Sequence, residues 1–296
     1  MKKTNSKPKQ VILLFLLFVA FAVKSQNGVK ISARVLLQGA LIKSNFTYDT
    51  MMRDDLRQKN LLPFTEPYST MPNYQHVNGG GNEVVSDPSV FQITGENAVV
   101  DWVIVELRDP QILDSTVATR SALLTRIGNV VDVDGVSPLH FPNTAPGLYF
   151  VVVRHRNHLG VMSGEAVFLN DAPQTLDFTN PNFFANGQYS MATISGKKAL
   201  WCGDLNGDRR IIYQGPGNDV LPIFITALYH PGNSNQISTF MASGYLNSDL
   251  NMDGNAIYAG PGNDRSYLST TFTAATYPLT QSIFICTIFV LLELVP

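Results

Sequence analysis

The chain has 296 residues, which is enough for one large or two modest domains, and 45% of them are hydrophobic. This composition supports a packed core and excludes a chain that is disordered throughout. The formal net charge is −2, so the chain lacks the surplus of Lys and Arg that neutralises phosphates in nucleic-acid complexes. We therefore expect no nucleic-acid partner.

Residues 1–25 have the layout of a secretory signal peptide. Four lysines precede an uncharged apolar run from Val11 to Val23, and the small residue Ser25 follows. The run is shorter than the roughly 20 residues that a membrane-spanning helix needs. We predict cleavage near Ser25, with a retained N-terminal anchor as the alternative. Only Cys202 and Cys286 are present, too few for a disulfide framework, although the two could pair.

Residues 29–180 show the pattern of short β-strands. Residues 103–108 alternate between two faces, which is typical of a half-buried strand. Ile127-Gly128-Asn129 between apolar runs predicts a tight hairpin, while residues 148–153 are apolar on both faces and residues 161–169 return after Gly160. Turns every eight to twelve residues or so favour an antiparallel β-sandwich.

The remainder divides into three parts. Residues 181–198, rich in Asn, Ser, Gly and Phe, are predicted to be a linker. Residues 199–268 hold two acidic loops. Residues 269–296 form an apolar tail without charge up to Leu292. A buried terminal strand, a weak membrane anchor and an altered reading frame all fit this tail, and the anchor is less favoured than the other two together.

The two acidic loops, Asp204 to Asp219 and Asp249 to Asp264, are copies of one unit, with eleven identities in sixteen positions. Calcium takes six to eight oxygen ligands, and Asp-x-Asn-x-Asp presents such oxygens around a tight turn. We predict Ca²⁺ as the cofactor. The predicted ligands are Asp204, Asn206, Asp208, the carbonyl of Arg210 and Asp219 in the first loop, and Asp249, Asn251, Asp253, the carbonyl of Asn255 and Asp264 in the second.

The closing ligands are the specific step of this prediction. An EF-hand places its closing carboxylate at position twelve, where these loops have Gly215 and Gly260. The chain must therefore fold back so that the acid four residues later completes the shell. In the alternative interpretation Asp and Asn only initiate turns, and Asp219 caps a helix over residues 220–229 while Asp264 caps a shorter one.

Two further features of the loops lead to expectations. The sixth position is Gly254 in the second loop and Arg209 in the first, which predicts more backbone strain in the first loop. The Ile-Tyr pairs at residues 212–213 and 257–258 are expected to pack the two units against each other.

Other candidate sites have simpler interpretations. His155 and His158, three apart on a strand, should point to opposite faces, which favours a structural or surface role over metal binding. Asp132 to Gly135 resembles half a calcium loop and is predicted to be a turn. No catalytic motif is present, and the adjacent acids Asp54 and Asp55 do not establish a catalytic pair. Catalysis is therefore not expected.

Residues 52–57, 62–68, 101–108 and 153–162 carry a family resemblance. The chain resembles a family of secreted bacterial surface proteins with dockerin-like or haemagglutinin-like calcium loops, from about Lys30 to Asp264. The resemblance implies a mainly β fold with a β-sandwich and a tandem dockerin-like module. It also implies type IX secretion to the outer surface of a Gram-negative bacterium. The chain departs from the family after Asp264, where no β-rich sorting domain follows.

The resemblance and the loops together imply a function. We expect a secreted, non-catalytic calcium-binding protein that serves in adhesion or extracellular assembly. Its partner would be a protein or a glycan at the cell surface. The alternative is a component, catalytic or not, of a carbohydrate-degrading surface system.

Overall fold

A computed structural model describes residues 28–44, 47–187, 189–274 and 284–285 of the chain. The fold is mainly β, with one large sheet that is almost entirely antiparallel and few helices. The strands are β1 (Val29–Arg34), β2 (Leu41–Ser44), β3 (Thr47–Met52), β4 (Val99–Arg108), β5 (Thr116–Thr125), β6 (Asn129–Val131), β7 (Leu139–Phe141), β8 (Gly147–His155), β9 (His158–Met162), β10 (Val167–Leu169), β11 (Gln174–Asp177), β12 (Ala192–Ile194), β13 (Lys197–Ala199), β14 (Arg210–Ile211), β15 (Met241–Ser243), β16 (Asn255–Ile257) and β17 (Phe284–Ile285). The α-helices are α1 (Asp55–Gln58), α2 (Val220–Tyr229) and α3 (Arg265–Ala274), and 3₁₀ turns occupy Tyr68–Thr70, Pro88–Gln92 and Gly95–Asn97.

The large sheet has the order β10-β8-β4-β5-β6-β1-β11, with β7 paired to β1 and β9 paired to β8. Its neighbours are antiparallel except β1 and β11. The predicted hairpin is confirmed, because β5 and β6 pair with Leu123 opposite Val131 and Gly128 has the positive φ of +91° that the connection requires. The predicted return after Gly160 is also present, split into β9 and β10.

Strand β4 is buried along its whole length, so the prediction of a half-buried strand is wrong. Residues far away in sequence cover its second face: Tyr68 donates a hydrogen bond from its hydroxyl to the Trp102 carbonyl (2.8 Å), and the Trp102 indole donates to the Pro63 carbonyl (2.9 Å). The polar residues of that face are satisfied internally, since Arg108 pairs with Glu106 at 2.6 Å.

Two buried glutamates fix the irregular segment between α1 and β4. Glu66 accepts a hydrogen bond from the Tyr68 amide (2.8 Å) and Glu83 accepts one from the Gly81 amide (2.8 Å). Both carboxylates also reach Ser121 on β5, through its hydroxyl and its amide respectively. The proline- and glycine-rich sequence is therefore attached to the sheet by side-chain acceptors rather than by strand pairing.

The segment predicted to be a linker contains regular secondary structure. Residues 181–198 include β12 and the start of β13, which form a hairpin. None of the helices among the described residues is long and apolar enough to cross a bilayer. The predicted signal peptide, Cys286 and the tail beyond Ala274, apart from β17, lie outside the described residues.

The buried carboxylate of Asp101 connects the sheet to the region of the acidic loops. It lies 3.0 Å from His155 Nε2 and 2.8 Å from Arg156 Nε, and its other oxygen accepts from the Tyr245 hydroxyl at 2.6 Å. Burial alone would raise the pKa of Asp101, but Arg156 and His155 hold this pKa at about 2. The carboxylate is therefore charged and paired at neutral pH.

Replacing the cation of this pair should destabilise the fold strongly. Arg156→Ala leaves the Asp101 carboxylate buried without its charge partner, which we expect to lower the free energy of unfolding by about 3–5 kcal/mol. Urea denaturation at pH 7 measures this value. Lys197→Ala, in the β12–β13 hairpin, removes one positive charge elsewhere and should change stability by no more than about 0.5 kcal/mol. A loss below about 1 kcal/mol for Arg156→Ala would contradict the assignment.

Candidate metal centre in the repeated loops

The four aspartates that open and close the two loops are buried. Asp219, Asp249 and Asp264 are 0% exposed and Asp204 is 4% exposed. Each loop is followed at once by a helix, α2 after Asp219 and α3 after Asp264. Charged carboxylates in such an interior require a compensating charge or many hydrogen-bond donors.

The chain folds back at the end of each loop, as the closing ligands require. Asp219 accepts hydrogen bonds from the Leu205 amide (2.8 Å) and the Ile212 amide (2.7 Å). Asp264 accepts the corresponding bonds from Leu250 (2.8 Å) and Ile257 (2.8 Å). The two acids therefore lie beside the first residues of their own loops, at positions related by the 45-residue offset.

The alternative interpretation, in which Asp219 caps the following helix, is wrong, because its side chain makes no cap hydrogen bond. Asn218 takes that role by accepting from the Leu221 amide (2.9 Å), and Asn263 accepts from the Ser266 amide in the same way (2.9 Å). The helix over residues 220–229 is confirmed, while α3 is as long as α2 rather than shorter.

The Asp-x-Asn-x-Asp segment forms the same turn in both loops. In the first, Asn206 accepts from the Asp208 amide and Asp208 accepts from the Arg210 amide, both at 2.9 Å. The second loop repeats these bonds at 2.9 Å, from the Asp253 amide to Asn251 and from the Asn255 amide to Asp253. Arg210 and Asn255, the predicted carbonyl ligands, open β14 and β16.

One carboxylate oxygen in the first loop lacks a partner. Asp204 Oδ2 accepts from the Arg209 amide at 3.2 Å, but Asp204 Oδ1 is buried without any hydrogen bond. In the second loop the Asp249 carboxylate accepts from the amides of Gly254 (2.7 Å) and Asp253 (3.1 Å). A buried acceptor without a donor is costly, and a cation would satisfy it.

The electrostatics of the loops favour a cation. Burial raises the pKa of Asp204 to about 8, with a smaller contribution to this rise from the charge of Asp219. Burial also raises the pKa of Asp249 to about 8 against the opposing effect of Arg156. Burial raises the pKa values of Asp219 and Asp264 to about 7, although backbone amides lower them. These carboxylates would ionise more readily beside a bound cation.

The donor set fits a hard cation only if every kind of oxygen contributes. Across the described residues, no three His, Cys, Asp or Glu side chains come close enough together to hold a metal ion by themselves. The asparagine and backbone oxygens would therefore have to complete the shell, and calcium is the ion that accepts carboxylate, amide and carbonyl oxygens together.

The first turn of each loop has left-handed backbone at its fourth and sixth positions. These are Gly207 (φ +69°) and Arg209 (φ +69°) in the first loop, and Met252 (φ +61°) and Gly254 (φ +85°) in the second. At these two positions each loop has one glycine and one strained residue that carries a side chain, and the order is exchanged between the loops. The expectation of more backbone strain in the first loop is wrong, because Met252 has the same left-handed backbone in the second loop.

The two units meet through their tyrosines. The Arg265 guanidinium lies 5.6 Å from the ring centroids of both Tyr213 and Tyr258, and it donates a hydrogen bond to the Tyr213 hydroxyl (3.0 Å). Phe224 of α2 packs edge-on against Tyr258 at 4.9 Å. The two residues of each Ile-Tyr pair thus have different roles. The tyrosines contact the other unit, while the backbone amides of Ile212 and Ile257 donate hydrogen bonds to Asp219 and Asp264.

The prediction that His155 and His158 point to opposite faces is wrong. They flank a two-residue turn between β8 and β9, so they face each other with their Nδ1 atoms 3.1 Å apart. Both are buried. Burial lowers the pKa of each, so both are neutral at pH 7.

Sequence reasoning missed the role of this turn in positioning the second loop. The Asn157 side chain donates hydrogen bonds to the carbonyls of Asp249 (2.7 Å) and Asn247 (3.0 Å). The backbone of Gly39 also packs against the second loop, since a Cβ added at Gly39 would lie only 1.9 Å from the Leu250 carbonyl oxygen. The run Arg154 to His158 between apolar strands was the available signal, since five polar residues in a β-rich core need internal partners.

Comparison of the chain with known protein families, with curated proteins and with solved structures yields no match.

The raised pKa values predict a pH dependence in calcium-free buffer. An unfolded aspartate titrates near 3.9, so between about pH 4 and 8 the folded loops retain protons that the unfolded chain has released. The free energy of unfolding should therefore fall as pH rises toward 8. Urea denaturation from pH 6.5 to 8.5 measures this fall. His155 and His158 are neutral in the fold but titrate near pH 6.5 when unfolded, so they oppose the fall below about pH 7.5 and add almost nothing above it.

Asp204→Asn tests the origin of this slope. The amide retains an oxygen acceptor for the Arg209 amide but cannot ionise, so the decline in stability above pH 6.5 should be smaller than in the wild type. An identical decline in the variant would assign the pH dependence to other groups.

The exchanged glycines predict opposite effects of matched substitutions. Gly254→Ala adds a Cβ at φ +85° and 2.8 Å from Leu61 Cδ1, so it should lower the free energy of unfolding by about 1–2 kcal/mol. Arg209→Gly copies the second loop into the first and should leave stability unchanged or raise it by up to about 1 kcal/mol. Urea denaturation measures both, and equal effects of the two substitutions would contradict this account.

Proposed function

We propose that this chain is a secreted or cell-surface calcium-binding protein that serves in adhesion or extracellular assembly, without catalysis. The observation that supports this most directly is the duplicated set of buried carboxylates, in which Asp204 Oδ1 has no partner. Turn formation alone does not explain buried carboxylates, whereas a bound cation would offset the cost of burying them.

Each loop would hold one Ca²⁺ with its own oxygens. Asp204, Asn206, Asp208 and Asp219, with the Arg210 carbonyl, would hold the first ion. The equivalent residues of the second loop would hold the second: Asp249, Asn251, Asp253, the Asn255 carbonyl and Asp264. The ion supplies positive charge that offsets the mutual repulsion of the carboxylates. Binding free energy would then stabilise the folded loops directly.

The finer architecture is part of the proposal. We infer a β-sandwich over residues 29–180, with β10-β8-β4-β5 in one layer and β6, β7, β1 and β11 in the other, followed by a tandem dockerin-like module over residues 199–268. A single apolar cluster joins Ile31 of β1 with Val103 of β4 and Val153 of β8, which is the contact expected between facing layers.

Several observations favour a binding role over catalysis. The buried acids Glu66 and Glu83 of the sheet region accept hydrogen bonds from backbone amides and from Ser121. Asp54, of the adjacent acids singled out in the sequence, is bonded to Arg57 and Gln58. Secretion rests on the signal-peptide layout of residues 1–25, and the partner would be a surface protein or glycan.

Calcium should protect the loops from proteolysis. We expect the chain from residue 26 onward to bind two Ca²⁺ per molecule in isothermal titration. Cleavage within residues 200–268 should be slow in calcium and fast in EGTA. At a calcium concentration 100 times the Kd, each independent site adds about 2.7 kcal/mol to stability. Equal digestion with and without chelator would sink the proposal.

Single substitutions assign the two ions to the two loops. Asp204→Ala and Asp249→Ala should each reduce the stoichiometry from two to one. Asp134→Ala is the matched control, because Asp134 lies in an acidic turn where it accepts from the amides of Val136 and Ser137. Retention of both ions by either loop variant would contradict the assignment of ligands.

A further inference from the structure

A polar cleft of about 510 Å³ lies beside the first acidic loop. Arg108 of β4 and Arg154 of β8 line it from the sheet, and Arg209 lines it from the loop. Asn73, whose side-chain amide donates to the Asn206 carbonyl, joins the cleft to the loop. This volume lies in the range of small-molecule sites.

The wall on the sheet side carries fixed positive charge. Arg108 and Arg154 are buried, and both bond to one carboxylate: Glu106 Oε2 to Arg108 (2.6 Å) and Oε1 to Arg154 (3.1 Å). Arg154 also stacks on the Tyr74 ring at 4.2 Å and donates to the Asn73 carbonyl. Because one carboxylate is paired with two guanidinium groups, this wall carries one net positive charge. The contacts of both arginines fix the position of that charge.

Arg209 adds a third guanidinium group to the cleft. Among the described residues its side chain makes no hydrogen bond or ion pair. An exposed arginine held near two others, by a strained left-handed backbone, is an arrangement that an anion would stabilise.

The remaining lining identifies the class of anion. Asn73, Gln75 and Thr116 offer amide and hydroxyl groups, and Asp114 offers an acceptor. Amides, a hydroxyl and a carboxylate are suited to sugar hydroxyl groups, which both donate and accept hydrogen bonds. A simple inorganic anion would leave most of these groups and most of the volume unused.

We propose that this cleft binds an acidic saccharide, with the Arg209 guanidinium as the forked donor to the sugar carboxylate and Asn73, Gln75 and Thr116 as partners of its hydroxyl groups. The inference extends the proposed adhesion role by giving the partner a chemistry. It depends on the cleft and not on bound calcium, so each proposal can fail alone.

The test compares two disaccharides that differ at one carbon. Cellobiouronic acid carries a carboxylate where cellobiose carries a hydroxymethyl group, and inorganic phosphate serves as a plain anion. Isothermal titration of the chain from residue 26 onward should show binding of the acid at least ten times tighter than binding of cellobiose or phosphate. Equal affinity for cellobiose, tighter binding of phosphate, or no binding of the acid would overturn the proposal.

The variant Arg209→Gly removes the guanidinium while retaining the loop, because glycine is the residue at the equivalent position 254. We expect at least a tenfold loss of affinity for cellobiouronic acid, with calcium stoichiometry still at two if the loops bind calcium. Lys197→Ala, which removes a positive charge outside the cleft, should retain full affinity. Unchanged affinity in Arg209→Gly, or an equal loss in Lys197→Ala, would assign any binding to general charge and overturn the site.

Discussion

The buried carboxylate of Asp101 is the interaction on which the arrangement of the molecule depends. It joins three parts of the chain that are distant in sequence: strand β4, the turn at Arg156 and the segment at Tyr245. Arg156 also lies over the Tyr245 ring at 4.3 Å and donates to the Leu246 carbonyl. Such a pair gives up the hydration of both ions, so its main contribution is to fix one arrangement of its neighbours. The neighbour it fixes here is the start of the second acidic loop.

The two histidines extend this network, and their hydrogen bonds define the tautomer of each ring. The Gly39 amide donates to His158 Nε2 at 3.0 Å, so the proton of neutral His158 must be on Nδ1. That Nδ1 faces His155 Nδ1 and the Asn157 side-chain oxygen, which leaves His155 to donate from Nε2 to Asp101. Every polar atom of the imidazoles is thus engaged. The turn can therefore be buried although it contains no apolar residue, and it provides a rigid base for the loop above it.

The sequence allowed the repeated loops, helix α2 and the β5–β6 hairpin to be predicted because each depends on residues close together in the chain. The errors arose where distant residues decide. Strand β4 alternates as a half-buried strand should, but Tyr68 and a distant segment cover its second face. Asp219 has the preference of a helix cap, yet the return of the chain gives it two loop amides and leaves the cap to Asn218. Similarly, Arg156-Asn157 has neither Gly nor Pro to indicate a turn.

The exchange of glycine between positions four and six of the two loops has a consequence for how such repeats can be recognised. The backbone path was duplicated, whereas the glycines that ease it were not: one copy has glycine at the fourth position and the other at the sixth. A search pattern that requires glycine at position six would recognise only the second copy. The two copies thus share one backbone path but differ in the residues that they place at these two positions. Alignments of related loops should therefore accept glycine at either position, because the backbone is left-handed at both positions in both copies.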